Sequence, residues 1–214
     1  MTSTAILTAA AAIAAEWRWL AMAWHAVFAL VLAAILVLDI RDRRGLAITA
    51  ALPFTTVAAL AWWSGNPFNG TVFTGFAITL VAIAARLPAS PVTIGAPSAV
   101  WAGAGCCALA WSYPHFLSGT WTQYFYAAPL GLLPCPTLAL CVGLSLITQS
   151  FGSMRWTIVV FAASFTYGVI GVFALGVTLD WALIAGAMML AWHAWHCARQ
   201  QRDRRFLSHV RRTT

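Results

Sequence analysis

Charge is what this sequence has least of. Only 8% of its 214 residues are charged, where a soluble globular domain carries roughly 25%. Lysine is missing altogether, since all 12 basic residues are arginine. A soluble fold with so few charges could not cover itself with a hydrated surface, so the solvent around most of this chain is lipid. Chemistry-bearing motifs are equally scarce. There is no glycine-rich phosphate loop, no nucleophile elbow, no HExxH pair and no pair of carboxylates inside an apolar run. Hydrolase and nucleotide-driven readings therefore have nothing to rest on, and no catalytic residue is assigned. The stretch Met1–Ala15 has no basic n-region, so a cleaved signal peptide is not expected. The five cysteines are not spaced as a secreted disulfide framework. Cys106, Cys107, Cys135, Cys141 and Cys197 fall within or beside apolar runs, where a free thiol behaves as a small hydrophobe.

What is present is hydrocarbon: 62% of the residues are hydrophobic. Spans of ~20 residues, six to eight of them, nearly exhaust the chain. The expected fold is an all-α polytopic transmembrane bundle of about seven spans. It forms one membrane domain over 1–198, and residues 199–214 form an arginine-rich cytoplasmic tail. The spans are read at about 19–38, 46–63, 71–85, 92–111, 127–148, 156–179 and 181–196. The first apolar stretch, Ile6–Ala15, is too short to cross and is read as an interfacial or packed helix. The net charge of +7 does not mark a nucleic-acid surface, because the arginines sit in short segments between or after apolar runs. That is the positive-inside pattern. With the Arg41–Arg44 loop in the cytoplasm, Arg86, Arg155 and the C-terminal cluster also fall inside, and Arg18 alone falls outside. The N-terminus is then out and the C-terminus in, in a plasma (bacterial inner) membrane. Trp62, Trp63, Trp111, Trp121 and Trp181 fall near the outer span ends, and Trp156, Trp192 and Trp195 near the inner ones, as indoles at a lipid headgroup boundary do. The C-terminal arginines can also touch anionic headgroups.

The densest chemical feature is Pro129-Leu-Gly-Leu-Leu-Pro134-Cys135-Pro136-Thr137 in the fifth run. Proline donates no backbone N–H and disfavours helix in the residue before it. Pro134 would free the carbonyl of Leu130, and Pro136 that of Leu132. A span starting near Ala127 carries Cys135 ~12 Å along its axis, well into a hydrocarbon core ~30 Å thick. Broken backbone at that depth must be buried in protein or line a cavity. Cys135, Thr137, Pro134 and Pro136 are therefore the expected substrate-binding residues, with a polarizable thiol, a hydroxyl and freed carbonyls as contacts. A thiol beside carbonyls also suits a soft cation, and the adjacent Cys106 and Cys107 join Cys135 as candidate metal ligands. Neighbouring helical residues point ~100° apart, so the pair serves equally as small residues for close helix packing. His193 and His196 share a helical face, and His25 lies within the first span. These three are the alternative, haem-like ligand set. Asp180 at the head of the seventh span is read as a helix cap, with a substrate or cation contact as the second reading.

The order Tyr113-Pro114-His115, Ala128-Pro129-Leu130-Gly131 and Pro134-Cys135-Pro136-Thr137 resembles a bacterial multi-pass membrane family known as domain of unknown function 6064. Asn66-Pro67 ahead of Phe73 and the run from Ile170 to Asp180 fit the same likeness, while Leu138-Ala139 departs from its aromatic-Thr pattern. The resemblance implies a multi-pass helical architecture and directs attention to Cys135; it implies no reaction. The expected function is a small-solute or soft-metal-ion permease, with no cofactor assigned beyond that ion. A redox or haem-linked membrane protein, and a non-catalytic membrane subunit of a complex, are the other readings. The expected partners are the bilayer and either a second copy or a partner subunit.

Overall fold

A computed structural model describes residues 3–37, 42–113, 116 and 120–213, the side chains of residue 36 and of residues 200–213 excepted. The elements are α1 (Ser3–Glu16), α2 (Arg18–Leu36), α3 (Arg43–Ala51), α4 (Pro53–Trp63), α5 (Pro67–Ala85), α6 (Pro97–Ser112), α7 (Tyr124–Ala127), α8 (Pro134–Ile147), α9 (Met154–Val169) and α10 (Asp180–Thr213). A π-helical turn, Ile170–Ala174, extends α9. Among the described residues there is no strand, only one isolated bridge between Asp42 and Pro91. Part of the expected cytoplasmic loop around Arg41 and the expected outer-loop residue His115 lie outside the described residues.

Helix starts follow from the sequence. Prolines open α4, α5, α6 and α8, where the missing N–H has no intrahelical partner to lose. Asp42, Asn66 and Ser153 cap α3, α5 and α9 by accepting from the amides of Gly45, Asn69 and Trp156. Among the described residues, four helices are long and apolar enough to cross a membrane: Arg18–Ile35, Arg43–Trp63 (α3 continued by α4), Pro67–Ala85 and Met154–Ala174. They coincide with the first, second, third and sixth expected spans. Outward-facing Leu30, Ile78, Trp101 and Phe173 give the surface an apolar character.

Two other expected spans are only partly helical. The fourth is non-helical up to Ala96 and becomes α6 at Pro97. The fifth is irregular over 128–133 and becomes α8 only at Pro134. In both runs the proline begins the helix instead of kinking it. In α8 the break therefore precedes Pro134, and Pro136 sits harmlessly in the first turn, where amides are unpaired within a helix anyway.

The core is built around α8, which is buried at every position from Pro136 to Ile147. It packs on α6 through small residues. A methyl added at Gly103 would come 2.6 Å from the Gly143 carbonyl oxygen, and one at Gly143 would come 2.5 Å from the Cys107 sulfur. Beside it, Phe54 of α4 stacks on Phe73 and meets Phe76 edge-on, both from α5, and Phe73 touches Tyr167 of α9. The Gly168 backbone of α9 abuts Ile184 of α10. Close backbone approach through small residues is how helices associate where no hydrophobic effect drives them together.

Candidate functional site

The irregular segment ahead of α8 is held by a closed set of hydrogen bonds. Gly131 adopts φ +73° with the Trp24 indole lying directly against its α-carbon, a conformation and a contact that both require glycine. Its amide donates to the Thr137 hydroxyl at 3.0 Å, and that hydroxyl donates to the Leu133 carbonyl at 2.7 Å. The Gly131 carbonyl accepts from Thr56 at 2.5 Å, and the Trp24 indole N–H donates to the same Thr56 oxygen at 3.1 Å. Pro129 supplies one carbonyl to the amides of both Leu132 and Leu133. Thr137, 1% exposed, thus spends its hydrogen inside the loop. Its place is to fix the geometry that presents Pro134 and Cys135.

Cys135 then meets the acid the sequence placed at a helix start. Asp180 opens α10 and is 1% exposed. Its carboxylate accepts from the Cys135 thiol at 3.1 Å on one oxygen and from the Tyr113 hydroxyl at 2.7 Å on the other. Gly171 in the π-helical turn permits this, since any Cβ there would overlap the carboxylate. The wider turn carries the chain past the acid, and the amide of Val177 closes it on the Gly171 carbonyl at 2.8 Å. Single π turns inside α-helices recur at functional sites. Around the polar trio lie Leu7, Leu109, Val177 and Leu179, an environment in which each donor and acceptor must find a partner.

Cys135 also faces a cavity of about 440 Å³. Its walls come from α1 (Ile6, Ile13), α4 (Val57), the loop (Leu132), Asn69 of α5 and Tyr167 of α9. The Tyr167 hydroxyl donates to the Asn69 side-chain oxygen at 2.8 Å. At the opposite end of α8 a second cavity, of about 340 Å³, is lined by Ser145, Gln149, Ser150, His193, His196 and Cys197. The backbone there is irregular too. Gln149, Ser150, Phe151 and Gly152 all carry positive φ, between +49° and +70°, an uncommon left-handed turn for three residues with side chains. Phe151 anchors it, 1% exposed, its ring meeting Trp156 edge-on at 4.9 Å.

The other candidate residues are not gathered at Cys135. Cys106 packs on Gly186 of α10 and Cys107 on Gly143 of α8, so the vicinal pair serves two different helix contacts. His25 is buried, and its two ring nitrogens lie 2.8 Å from the Ala21 carbonyl and 3.0 Å from that of Trp111. It sits at the C-terminal end of α6, whereas His193 and His196 line the cavity that Gly95 and Ala96 share just ahead of α6. His196 is held edge-on against Trp192 and Trp195. The three histidines thus occupy opposite ends of one helix. Among the described residues no group of three His, Cys, Asp or Glu side chains is placed to hold a metal ion.

Several residues of the site escaped sequence reasoning. Thr56 and Tyr167 are polar side chains inside apolar runs, a signal in plain sight. Asn69 falls between the second and third expected spans, and Gly171 carries no signal at all until the π turn sets it against Asp180. No known family's model, no curated protein and no solved structure matches this chain.

Proposed function

We propose that this protein is a multi-pass permease for a small solute, with its path running past α8 between the cavity at Cys135 and the cavity at His193. One observation carries the reading: a short helix buried on every side, with broken backbone and a cavity at each end. At 1.5 Å per residue, the 14 residues of α8 extend ~21 Å, less than the ~30 Å of a hydrocarbon core. Irregular backbone at membrane depth is stable only when protein buries it or a water-filled space lines it, and α8 has both ends in that condition. Seven spans with the N-terminus outside and the C-terminus in the cytoplasm agree with this path, as does placement in the plasma (inner) membrane with lipid around it. The Cys135 cavity then faces outward and the His193 cavity inward. Kinship with the family named above, through Pro134-Cys135-Pro136-Thr137, belongs to the same proposal.

A soft cation is the second reading, favoured by the Cys135 sulfur beside the Asp180 carboxylate. Both readings are tested by reconstituting the chain in liposomes and following shrinkage and reswelling by light scattering with a panel of neutral solutes. Permeation above that of empty liposomes is expected for at least one solute. It should be blocked by a thiol reagent in the wild type and left unblocked in Cys135→Ser. Flux indistinguishable from empty liposomes across the panel would refute the permease. Cu(I) or Hg(II) entry lost in Cys135→Ser, with no solute flux, would favour the cation.

A further inference from the structure

We infer that the cavity at Cys135 takes an uncharged, mainly apolar solute carrying one hydrogen-bond acceptor, which the Asn69 side-chain amide recognises. This deepens the permease reading, since it names the class of solute, but it concerns binding and is tested as binding.

The cavity's size, about 440 Å³, falls within the roughly 300–1,000 Å³ typical of small-molecule sites. Ile6, Ile13, Val57 and Leu132 make most of its wall hydrocarbon. The few polar groups are already oriented. Ser64 donates its hydrogen to the Ala61 carbonyl. The oxygen of Asn66 caps α5. The Tyr167 hydroxyl gives its hydrogen to the oxygen of Asn69. What these bonds leave over at the cavity's edge are the amide hydrogens of Asn69 and, beside them, those of Asn66, which have no partner among the described residues, together with the acceptor lone pairs of the Ser64 and Tyr167 hydroxyls. No arginine, aspartate or glutamate is among the described lining residues.

Each alternative ligand class meets a specific obstacle. A carboxylate would shed its hydration into a hydrocarbon wall and find only neutral amides to replace it. An ammonium would shed its hydration into the same wall and find only two neutral hydroxyl oxygens to replace it. A pure hydrocarbon would fill the space but leave the amide donors uncompensated. A ketone, ether or alcohol on an apolar body satisfies both parts of the wall.

Cys135 provides the readout, because it lines this cavity. In the unaltered chain in lipid nanodiscs, modification of each cysteine is followed by peptide mass spectrometry. The neutral reagent methyl methanethiosulfonate is expected to modify Cys135 faster than the sulfonatoethyl and trimethylammonioethyl reagents. Cyclohexanone should protect Cys135 at lower concentration than methylcyclohexane, by about fivefold if the contact is one ordinary hydrogen bond. Cyclohexylammonium and cyclohexanecarboxylate should protect least. In Asn69→Leu the advantage of cyclohexanone should vanish while methylcyclohexane still protects, which also shows that the cavity has kept its shape. Equal modification by charged and neutral reagents would overturn the inference. So would equal protection by ketone and hydrocarbon, or protection by none, the result expected of a cavity filled by a lipid chain. These outcomes separate from the permease test: protection without liposome flux leaves a binding cavity and removes transport, whereas flux of charged solutes without protection leaves transport and removes this solute class.

Discussion

Replacing Thr137 decides whether the loop ahead of α8 is held by hydrogen bonds or by shape. Valine copies threonine's outline and removes the hydroxyl; serine keeps the hydroxyl and removes a methyl. In Thr137→Val the Gly131 amide, now 3.0 Å from the hydroxyl oxygen, loses its partner, while the Leu133 carbonyl, 2.7 Å from it, loses one donor and, as the cap of α8, keeps the first intrahelical bond. The site is 1% exposed, so water is slow to replace it. At roughly 1–3 kcal/mol for a buried group left unsatisfied, the substitution should cost about 1–3 kcal/mol and exceed the serine change. Thr137→Ser keeps both bonds and loses one buried methyl, about 0.5–1.5 kcal/mol. Unfolding of the two variants and the wild type in mixed micelles, titrated with denaturing detergent, gives the order directly: wild type, then serine, then valine. Because the loop leads straight into Pro134, Cys135 should also be modified by methyl methanethiosulfonate at an altered rate in the valine variant and at the wild-type rate in the serine one. A valine variant as stable as the serine variant, or more so, would refute the reasoning, since shape would then be what the position supplies.

Three further comparisons have definite directions. Gly143→Ala should destabilise by about 1–3 kcal/mol, and adding Cys107→Ala should fail to restore it, because the Gly103 carbonyl 2.7 Å from the new methyl is backbone and cannot move aside; the same detergent titration reads both. Gln149→Gly should stabilise the protein by about 0.5–1 kcal/mol, the left-handed penalty relieved less glycine's entropy, and no gain would mean the turn is not left-handed. Tyr113→Phe, losing a hydroxyl bond to a carboxylate, should cost about 1.5–3 kcal/mol and should exceed the cost of Cys135→Ala, whose thiol is the weaker donor; the reverse order would show that the acid leans on sulfur.

Much of the architecture was legible before any coordinates. Charge scarcity and long apolar runs announce helices in lipid, because only a helix satisfies its own backbone where water is absent. The runs around Phe28, Phe54, Phe76 and Val160 each became helices at the expected places. Prolines and the caps Asp42, Asn66 and Ser153 mark starts through local bonds within a few residues, so they too can be read from the chain alone. The unusual character of the Pro129–Thr137 run was visible for the same reason.

What composition could not decide was how that run would break and which residues would face it. Proline forbids an N–H bond but does not say whether a helix bends at it or starts at it; α8 starts at Pro134 because Thr56, Trp24 and Thr137, distant or later in the chain, hold the preceding segment in another shape. The same is true of the site. Cys135 and Asp180 are 45 residues apart, and Tyr113 and Asp180 are 67 apart, so no spacing rule connects them. Their meeting depends on a π turn that puts Gly171 where any side chain would collide with the acid. A sequence states which groups need partners in an apolar medium; only packing states which partners they get.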